Sequence, residues 1–234
     1  MPAPISVVIP TLNAAGGLAA TLASLNEGWR AGLLRELILT DGGSNDGIET
    51  AADQAGAMLV RGAPSRGQQL RRGISMSSGD WLLVLHADTV LLPGWSGPVA
   101  RHLERSRDAA FFRLTFDADG FMPRLVAGWA NLRARWFGLA YGDQGLLVPR
   151  ALYEEVGGYP NQALMEDVTM TRLLRGRLKA LTAIARTSAD RYRTEGWLWR
   201  GGRNLILISR YALGADPAKL AMSYRNRTQR SSNW

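Results

Sequence analysis

The sequence contains no cysteine and only two histidines, His86 and His102. Without thiols, disulfides, zinc–thiolate sites, iron–sulfur clusters and cysteine nucleophiles are excluded, and two histidines leave little room for a multi-histidine metal site. Long apolar runs are also absent, because the longest reach only four or five residues, far below the roughly 20 that cross a bilayer. The opening segment MPAPISVVIP lacks the basic region and the apolar core of a secretory signal. We therefore expect a cytoplasmic protein.

Two glycine-rich phosphate-binding patterns are missing as well. No GxGxxG follows the first apolar strand, and GxxxxGK[ST] occurs nowhere in the chain. These absences disfavour a dinucleotide-binding Rossmann enzyme and a P-loop NTPase. A nucleotide bound by this chain would have to be held by carboxylates, a metal ion and arginines.

Charge is unevenly distributed along the 234 residues, whose formal net charge is +8. Residues 1–171 contain 14 Lys and Arg against 17 Asp and Glu, whereas residues 172–234 contain 14 against 3. A basic C-terminal quarter indicates either an anionic partner or a solvated helical face. We predict one domain over residues 1–234, with residues 177–234 as a basic C-terminal extension.

Short apolar strands alternate with helical patterns in the first half of the chain. The strands are continuous apolar runs, as expected of strands buried on both faces, at 5–9, 37–40, 58–60 and 81–85. One helical face contains Leu18, Leu22, Leu25 and Trp29. The alternation predicts an α/β fold with a mixed, mostly parallel sheet flanked by helices. Further helices are predicted at 66–77, 123–137, 149–156 and 166–174, and further strands at 111–116 and 145–148.

Polar clusters follow three of the predicted strands. Ligands of parallel α/β sheets bind at the carboxyl ends of the strands, where this chain has PTLN at 10–13, DGGSNDG at 41–47 and HADT at 86–89. Each cluster alone is compatible with a turn or a helix cap. Their joint placement predicts a ligand site.

Six motifs in a fixed order resemble the family 2 glycosyltransferases. They are ISVVIPTLN at 5–13, DGGSNDG at 41–47, SRGQQ at 65–69, GDWLLVLHADT at 79–89, GDQGLLV at 142–148 and MEDV at 165–168. The resemblance implies a Rossmann-like GT-A fold and inverting transfer of a sugar from a nucleotide donor, most commonly a UDP-sugar, to an acceptor hydroxyl. Residues 191–220 are also similar to a short bacterial subgroup of this family labelled as associated with arsenosugar or selenium metabolism.

The resemblance implies a nucleotide site near the carboxyl ends of the first strands of the sheet. Asp41 would accept a hydrogen bond from the base, and Arg66 would either reach the diphosphate or shape the pocket. The residues implied for nucleotide binding are Pro10, Thr11, Asn13, Asp41, Arg66 and Gly67.

The resemblance also implies a divalent cation, Mn²⁺ or Mg²⁺, at the end of the fourth strand. Asp88 corresponds to the metal-binding carboxylate of the family's DxD motif, which here reads His86-Ala87-Asp88. An imidazole suits Mn²⁺ better than Mg²⁺. His86 therefore either ligates the metal, faces the ribose, or supports Asp88.

Two adjacent carboxylates carry the acceptor-side chemistry that the resemblance implies. Asp167 would be the general base and Glu166 would orient the acceptor or the base, because neighbouring helical residues point about 100° apart. The alternative is that both only complement the dipole of their helix. Gly142, Asp143 and Gln144 correspond to the family's acceptor-side or sugar-contact loop.

The basic tail has three interpretations. Residues 197–213 combine Trp, Leu and Ile with Arg200, Arg203 and Arg210, which suits a helix at an anionic membrane surface. A helix that packs its apolar face on the domain and leaves its arginines in water fits equally well. The third interpretation is a segment that closes over the acceptor site, with Arg191, Tyr192 or Arg193 near the donor phosphates.

Two other functions are compatible with parts of the sequence. A sugar nucleotidyltransferase would usually carry a basic, glycine-rich loop after the first strand, but no Arg or Lys occurs here before Arg30. A non-enzymatic RNA-binding protein would fit the basic tail, but no RNP-like strand or KH loop is present. We expect a nucleotide-sugar donor, a small-molecule or lipid acceptor and an anionic membrane surface as partners, and no nucleic acid.

Overall fold

A single mixed β-sheet organises the chain in the computed structural model, which describes residues 3–162, 164–217, 219 and 220. Its eight strands run in the order β3-β2-β1-β4-β7-β6-β8-β5. They are β1 Ile5–Thr11, β2 Leu34–Asp41, β3 Met58–Arg61, β4 Trp81–Val84, β5 Thr89–Leu91, β6 Ala109–Phe116, β7 Leu146–Pro149 and β8 Leu178–Thr187.

The four strands read as continuous apolar runs form the parallel half of the sheet. β1 lies between β2 and β4 and is parallel to both, and β3 continues the parallel half beside β2. Thr11 pairs with Asp41, so the carboxyl ends of β1 and β2 are level. The predicted polar clusters therefore lie at one edge of the sheet.

The second half of the sheet mixes strand directions. β7 is antiparallel to both β4 and β6, β8 is parallel to β6, and β5 is antiparallel to β8. The predicted α/β class with a mixed, mostly parallel sheet is confirmed.

β5 and β8 are strands that the sequence did not predict. Because β8 lies between β6 and β5, the predicted boundary of the basic extension at residue 177 falls inside the fold.

Ten helices among the described residues cover the sheet. They are α1 Ala15–Ser24, α2 Asn26–Arg30, α3 Ile48–Gln54, α4 Arg66–Ser75, α5 Ser96–Arg105, α6 Phe121–Phe137, α7 Arg150–Glu155, α8 Glu166–Leu173, α9 Asp190–Glu195 and α10 Trp197–Ala212. Each predicted helix corresponds to one of them, with bounds that differ by a few residues. The predicted face with Leu18 and Trp29 is divided between two helices, since α1 ends before Leu25.

Successive residues of each central strand pack on opposite faces of the sheet. Val7 and Ile9 lie in one apolar cluster with Trp95, while Val8 lies in a second cluster with Leu70 and Met170. Both faces are thus buried, as the unbroken apolar runs predict.

Two of the three arginines of α10 do not lie in solvent, where both the membrane interpretation and the interpretation of a helix packed by its apolar face placed them. Arg200 and Arg203 point inward, and their guanidinium groups lie 2.6 and 2.8 Å from the two carboxylate oxygens of Glu195. Both side chains are mostly buried, since a single acidic residue draws them toward the domain. Arg210 stays exposed. Within the residues that the structure describes, every helix is too short or too polar to cross a bilayer, and residues 221–234 of the predicted extension lie outside those residues.

Candidate active site

The loops that follow β1 and β2 are tied to each other by hydrogen bonds. The amide of Asn13 donates to Ser44 Oγ at 2.8 Å, and the amide of Asn45 donates to Asn13 Oδ1 at 3.1 Å. Asn13 has a φ of 49°, a left-handed conformation that asparagine tolerates better than most residues. Pro10 is partly exposed beside this pair of loops. Together the loops form an ordered cradle at the carboxyl edge of the sheet.

Asp41 organises the cradle from its interior. Its fully buried carboxylate accepts hydrogen bonds from Thr11 Oγ1 at 3.1 Å, from the amides of Gly43 and Ser44, and from Ser44 Oγ. Burial raises the pKa of Asp41, but the bonds from Ser44, Gly43 and Thr11 outweigh it and leave this pKa below its ordinary value. The carboxylate is therefore ionised and engaged within the protein. Direct contact of Asp41 with a nucleotide base stays a prediction.

Gln69 joins the ends of β1 and β2 from the next helix. Its buried Nε2 donates to Thr11 O at 2.8 Å and to Thr40 O at 2.9 Å. Its side chain also lies against Gly42, where a Cβ atom would be 3.2 Å from the Gln69 amide group. This glutamine fixes the floor of the site, and in the sequence only its place in the SRGQQ motif distinguishes it.

The amino terminus of α4 is held against the loop that precedes α8. The amide of Gly67 donates to Gln162 O at 3.0 Å, and any Cβ at Gly67 would collide with Pro160 O. Only glycine allows this approach. Arg66 Nε lies 3.5 Å from Glu166 Oε1, so Arg66 reaches the predicted acceptor side.

His86 lies between the end of β4 and the loop that carries Gly142. Its ring contacts Gly142, where a Cβ atom would collide with Nε2. Burial of the ring, together with the nearby Arg66 and Arg191 guanidinium groups, places the pKa of His86 well below its ordinary value. The imidazole is thus neutral at pH 7. Asp88, two residues further along, is exposed to solvent.

Asp167 faces the same loop from the first turn of α8. Its Oδ2 accepts the amide of Gly142 at 2.8 Å, and its Oδ1 accepts the amide of Val168 at 2.7 Å. Gly142 therefore contacts His86 with its Cα and Asp167 with its amide. This one glycine brings the predicted metal-side strand end and the predicted general base into a single site.

Glu166 and Asp167 lie in different environments, as their spacing predicts. Glu166 is 1% exposed, and its burial, reinforced by the adjacent charge of Asp167, raises its pKa to about 7 even though Arg66 lowers it. Asp167 is only partly buried. Of the two carboxylates, Asp167 is the one that a ligand can reach.

The loop after α6 adds a further carboxylate, Asp143, and α6 itself adds a cation, Arg133. Burial raises the pKa of Asp143 to about 6, since the opposing effect of Arg133 is smaller, and the charges of Asp167 and Asp88 raise it further. The guanidinium of Arg133 lies over the ring of Tyr141, 3.2 Å from its centroid. Nothing in the sequence distinguishes Arg133 from the other arginines of α6.

Gln144 lies inside the protein rather than at the surface of the site. Its fully buried side chain donates to Asn131 Oδ1 at 3.3 Å and to Phe112 O at 3.4 Å, and its Oε1 accepts the amide of Tyr141. In this conformation it supports the loop that presents Gly142 and Asp143. Its predicted contact with sugar or acceptor stays a prediction.

Within the described residues, no group of three or more His, Asp or Glu side chains is arranged to hold a metal ion. A protein that binds a divalent cation together with a diphosphate needs only one or two ligands of its own, since phosphate oxygens and water complete the coordination shell. The exposed carboxylate of Asp88 and the neutral imidazole of His86 suit such a shared site.

The family model described as "Glycosyl transferase family 2" matches residues 6–137, which include the β1, β2 and β4 strand ends. The chain belongs to glycosyl transferase family 2. This membership confirms the resemblance and the predicted enzyme class, a glycosyltransferase. Among curated protein sequences, none matches the chain significantly.

Solved structures with the same fold include a glucosyl-3-phosphoglycerate synthase and a mannosyl-3-phosphoglycerate synthase. Glucosyl-3-phosphoglycerate synthase from Mycobacterium tuberculosis, in complex with Mn²⁺, uridine diphosphate and phosphoglyceric acid, is 19% identical over 91% of this chain and 79% of that one, with a TM-score of 0.59. Mannosyl-3-phosphoglycerate synthase from Rubrobacter xylanophilus is 18% identical over 79% of this chain and 66% of that one, with a TM-score of 0.53. At this identity the likeness shows that the family 2 chain shares their fold.

Proposed function

We propose that this family 2 glycosyltransferase transfers a sugar, with inversion and with the help of a divalent cation, from a UDP-sugar to an acceptor hydroxyl. The observation that carries the proposal is the position of Gly142, which contacts His86 on the donor side and donates to Asp167 on the acceptor side. An in-line displacement needs a leaving-group site and a base on opposite sides of the reacting sugar. The position of Gly142 between His86 and Asp167 supports this assignment of roles.

The donor would lie at the carboxyl edge of β1, β2 and β4. Pro10, Thr11, Asn13 and the Asp41 cradle would hold the nucleoside, in keeping with the binding of ligands at such edges. Arg66 and Arg191 lie close enough to His86 to lower its pKa, so both are near the predicted diphosphate site. Two guanidinium groups there would stabilise the negative charge that develops on the leaving diphosphate.

Asp88 would hold the divalent cation, with His86 as a second ligand or as a neutral support. Mn²⁺ or Mg²⁺ bound there would neutralise the diphosphate as it leaves. Complexes of the M. tuberculosis relative contain Mn²⁺ with UDP-glucose and Mg²⁺ with uridine diphosphate, which supports this cofactor and this donor class.

Asp167 would act as the general base toward the acceptor hydroxyl. The Gly142 amide orients the Asp167 carboxylate, and Asp143 lies near enough for the charge of Asp167 to raise its pKa. Glu166, buried against Arg66, would orient the helix start rather than take the proton. The acceptor would therefore approach between α8 and the Gly142–Gln144 turn.

Cytoplasmic and membrane-peripheral locations stay predictions. The apolar faces that α6 and α10 expose concern the membrane-peripheral location.

The proposal is tested by incubating the purified chain with UDP-, GDP-, dTDP- and CDP-sugars and measuring the release of nucleoside diphosphate. Release from a UDP-sugar, dependent on Mn²⁺ or Mg²⁺ and lost in Asp167→Asn, is the expected result. Formation or consumption of pyrophosphate, without release of nucleoside diphosphate, would indicate a nucleotidyltransferase instead. Release from GDP-sugars alone would overturn the choice of donor.

A further inference from the structure

The helix α6 exposes an apolar face to solvent. Its outward positions recur at the spacing of one helical face, and Trp136 at their carboxyl end is 72% exposed. The large apolar side chains exposed on α6 are Phe121, Leu125, Trp129, Leu132, Trp136 and Phe137. On the opposite side of the helix, Ala127, Ala130 and Ala134 are buried.

The helix α10 exposes a second apolar face. Its inward side carries Arg200 and Leu207, which are buried, while five other large apolar residues on it or directly after it are exposed. Trp199 is 71% exposed. The apolar side chains exposed on α10 and directly after it are Leu198, Trp199, Leu205, Ile206 and Leu213.

The two helices are neighbours in the fold. They contact each other, and Trp197 of α10 packs on the same buried cluster as Val126 of α6. Eleven of the sixteen large apolar side chains that are exposed among the described residues belong to these two faces. We call them together the α6–α10 face. Concentrations of exposed apolar side chains of this kind mark interaction sites.

The charged residues of the two helices that form the α6–α10 face are all arginines. Neither α6 nor α10 contains Asp or Glu. Beyond the end of α6, a cavity of about 270 Å³ is lined by Phe137 and Leu139 with two arginines of α8 and its C-terminal end. Five exposed arginines on or beside the face form no ion pair in the part of the chain that the structure describes: Arg124, Arg135, Arg172, Arg175 and Arg210.

We propose that the α6–α10 face docks this enzyme on the surface of an anionic lipid bilayer. Its three exposed tryptophans, Trp129, Trp136 and Trp199, suit the depth of the headgroups, where their rings are favoured. The leucines and isoleucine would enter the boundary of the acyl chains, and the unpaired arginines would meet lipid phosphates. The arginines proposed to contact lipid are thus Arg124, Arg135, Arg172, Arg175 and Arg210. Arg200 and Arg203 instead pair with Glu195 inside the domain.

Charge distinguishes a bilayer from a second copy of the chain as the occupant. A symmetric dimer through this face would bring the arginines of one copy toward those of the other, with no carboxylate of α6 or α10 to pair with them. An anionic bilayer supplies the missing negative charge. Docking there also places the membrane beside the acceptor side, since α6 leads into the loop that carries Gly142 and Tyr211 Oη of α10 contacts Gln162 and Thr169.

The test is sedimentation of the full chain with vesicles, without any donor. We expect binding to vesicles of phosphatidylcholine mixed with phosphatidylglycerol, weak binding to phosphatidylcholine alone, and release at high salt. Trp136→Ser with Trp199→Ser should weaken binding at least tenfold. Arg124→Gln and Arg135→Gln should each weaken it about fivefold, the equivalent of about 1 kcal/mol per basic residue.

Matched controls lie elsewhere on the surface. Met76→Ser removes an apolar side chain that is 53% exposed at the end of α4, and Arg30→Gln with Arg101→Gln removes two exposed charges of α2 and α5. These variants should sediment like the unmodified chain. Melting temperatures within a few degrees would show that all the variants fold.

Three outcomes would overturn the proposal. They are no binding to the anionic vesicles, equal loss of binding in the control variants, and a dimer by light scattering that the two tryptophan substitutions dissociate. The last outcome would assign the face to a second copy of the chain. Because no donor is present, failure here leaves the diphosphate-release experiment unaffected, and loss of transferase activity would leave vesicle binding unaffected.

Discussion

Asp88 and Asp167 occupy separate elements of the site, the loop after β4 and the first turn of α8. Replacing each of these carboxylates with its amide should therefore impair a different step, nucleotide binding or the chemical step. Asp88→Asn should weaken the Mn²⁺-dependent binding of UDP measured by calorimetry, because one carboxylate ligand is lost. Asp167→Asn should keep UDP affinity within about twofold and lose about 10²–10⁴-fold in turnover, the usual contribution of a general base.

The matched control for both substitutions is Asp53→Asn, an exposed residue of α3. It should change neither UDP affinity nor turnover. Unchanged UDP affinity in Asp88→Asn would remove this residue from the metal site. Normal turnover in Asp167→Asn would require another base, for which Asp143 is a candidate, because it lies close enough for the charge of Asp167 to raise its pKa.

Glu166 makes stability depend on pH in a defined direction. Its pKa of about 7 in the folded chain lies above its ordinary value of 4.5. Between pH 4.5 and pH 7, Glu166 is ionised in the unfolded chain but still protonated in the folded chain. The free energy of unfolding therefore falls as the pH rises through this range. Glu166→Gln cannot ionise, and its stability relative to the unmodified chain should increase from pH 4.5 to pH 7 by at most about 3 kcal/mol.

Denaturant unfolding of Glu166→Gln at several pH values measures this difference. Glu104→Gln on α5, where the carboxylate is exposed, is the control and should show a difference that is constant with pH. A constant difference for Glu166→Gln as well would mean that the Glu166 carboxylate titrates alike in both states.

At the scale of elements, Glu195 anchors α10 to the end of α9. Its two oxygens face Arg200 and Arg203, and all three side chains are mostly buried. Glu195→Gln should destabilise the chain by about 1.5–3 kcal/mol, since the charged hydrogen bond from Arg200 and the ion pair with Arg203 are weakened inside the protein. Urea unfolding would show the change as a lower midpoint.

The neighbouring ion pair of α9 provides a direct comparison. Asp190 lies 3.1 Å from Arg193, but the side chains are 78% and 51% exposed. Asp190→Asn should therefore change stability by less than about 1 kcal/mol. Equal effects of the two substitutions would contradict the anchoring of α10 by Glu195.

At the scale of the whole molecule, the proposed site predicts coupling between ligand and stability. UDP at 100 times its dissociation constant, with Mn²⁺, should stabilise the folded chain by about 2.7 kcal/mol. For a domain of this size the melting temperature should rise by about 5–10 °C. Removal of Mn²⁺ with EDTA should abolish most of this rise, and an undiminished rise in EDTA would contradict metal-assisted binding.

The sequence alone determined the parallel half of the sheet and the positions of the polar residues that are predicted to bind the ligand. Strands buried on both faces read as continuous apolar runs, so β1, β2 and β4 are visible in the sequence, and the polar residues after them lie at a common edge. β3 was also predicted from its apolar run, although it is an edge strand whose two end residues are exposed. The order of the six motifs was sufficient for the family. β8 was not predicted, because LKALTAIART contains three alanines, which are depleted in strands, and shows no apolar–polar alternation in its sequence, and the three residues of β5 are too few for a periodicity.

Only the tertiary structure decided which side of each helix faces the protein. In sequence, α10 shows arginines and apolar residues in one segment, and either set could point outward. Glu195 draws Arg200 and Arg203 inward, and the apolar residues are consequently left exposed. In the same way Gly142 joins His86 to Asp167, and Gln144 is withdrawn into the core by Asn131 and Phe112. These outcomes depend on partners distant in the chain, which local periodicity and spacing do not encode.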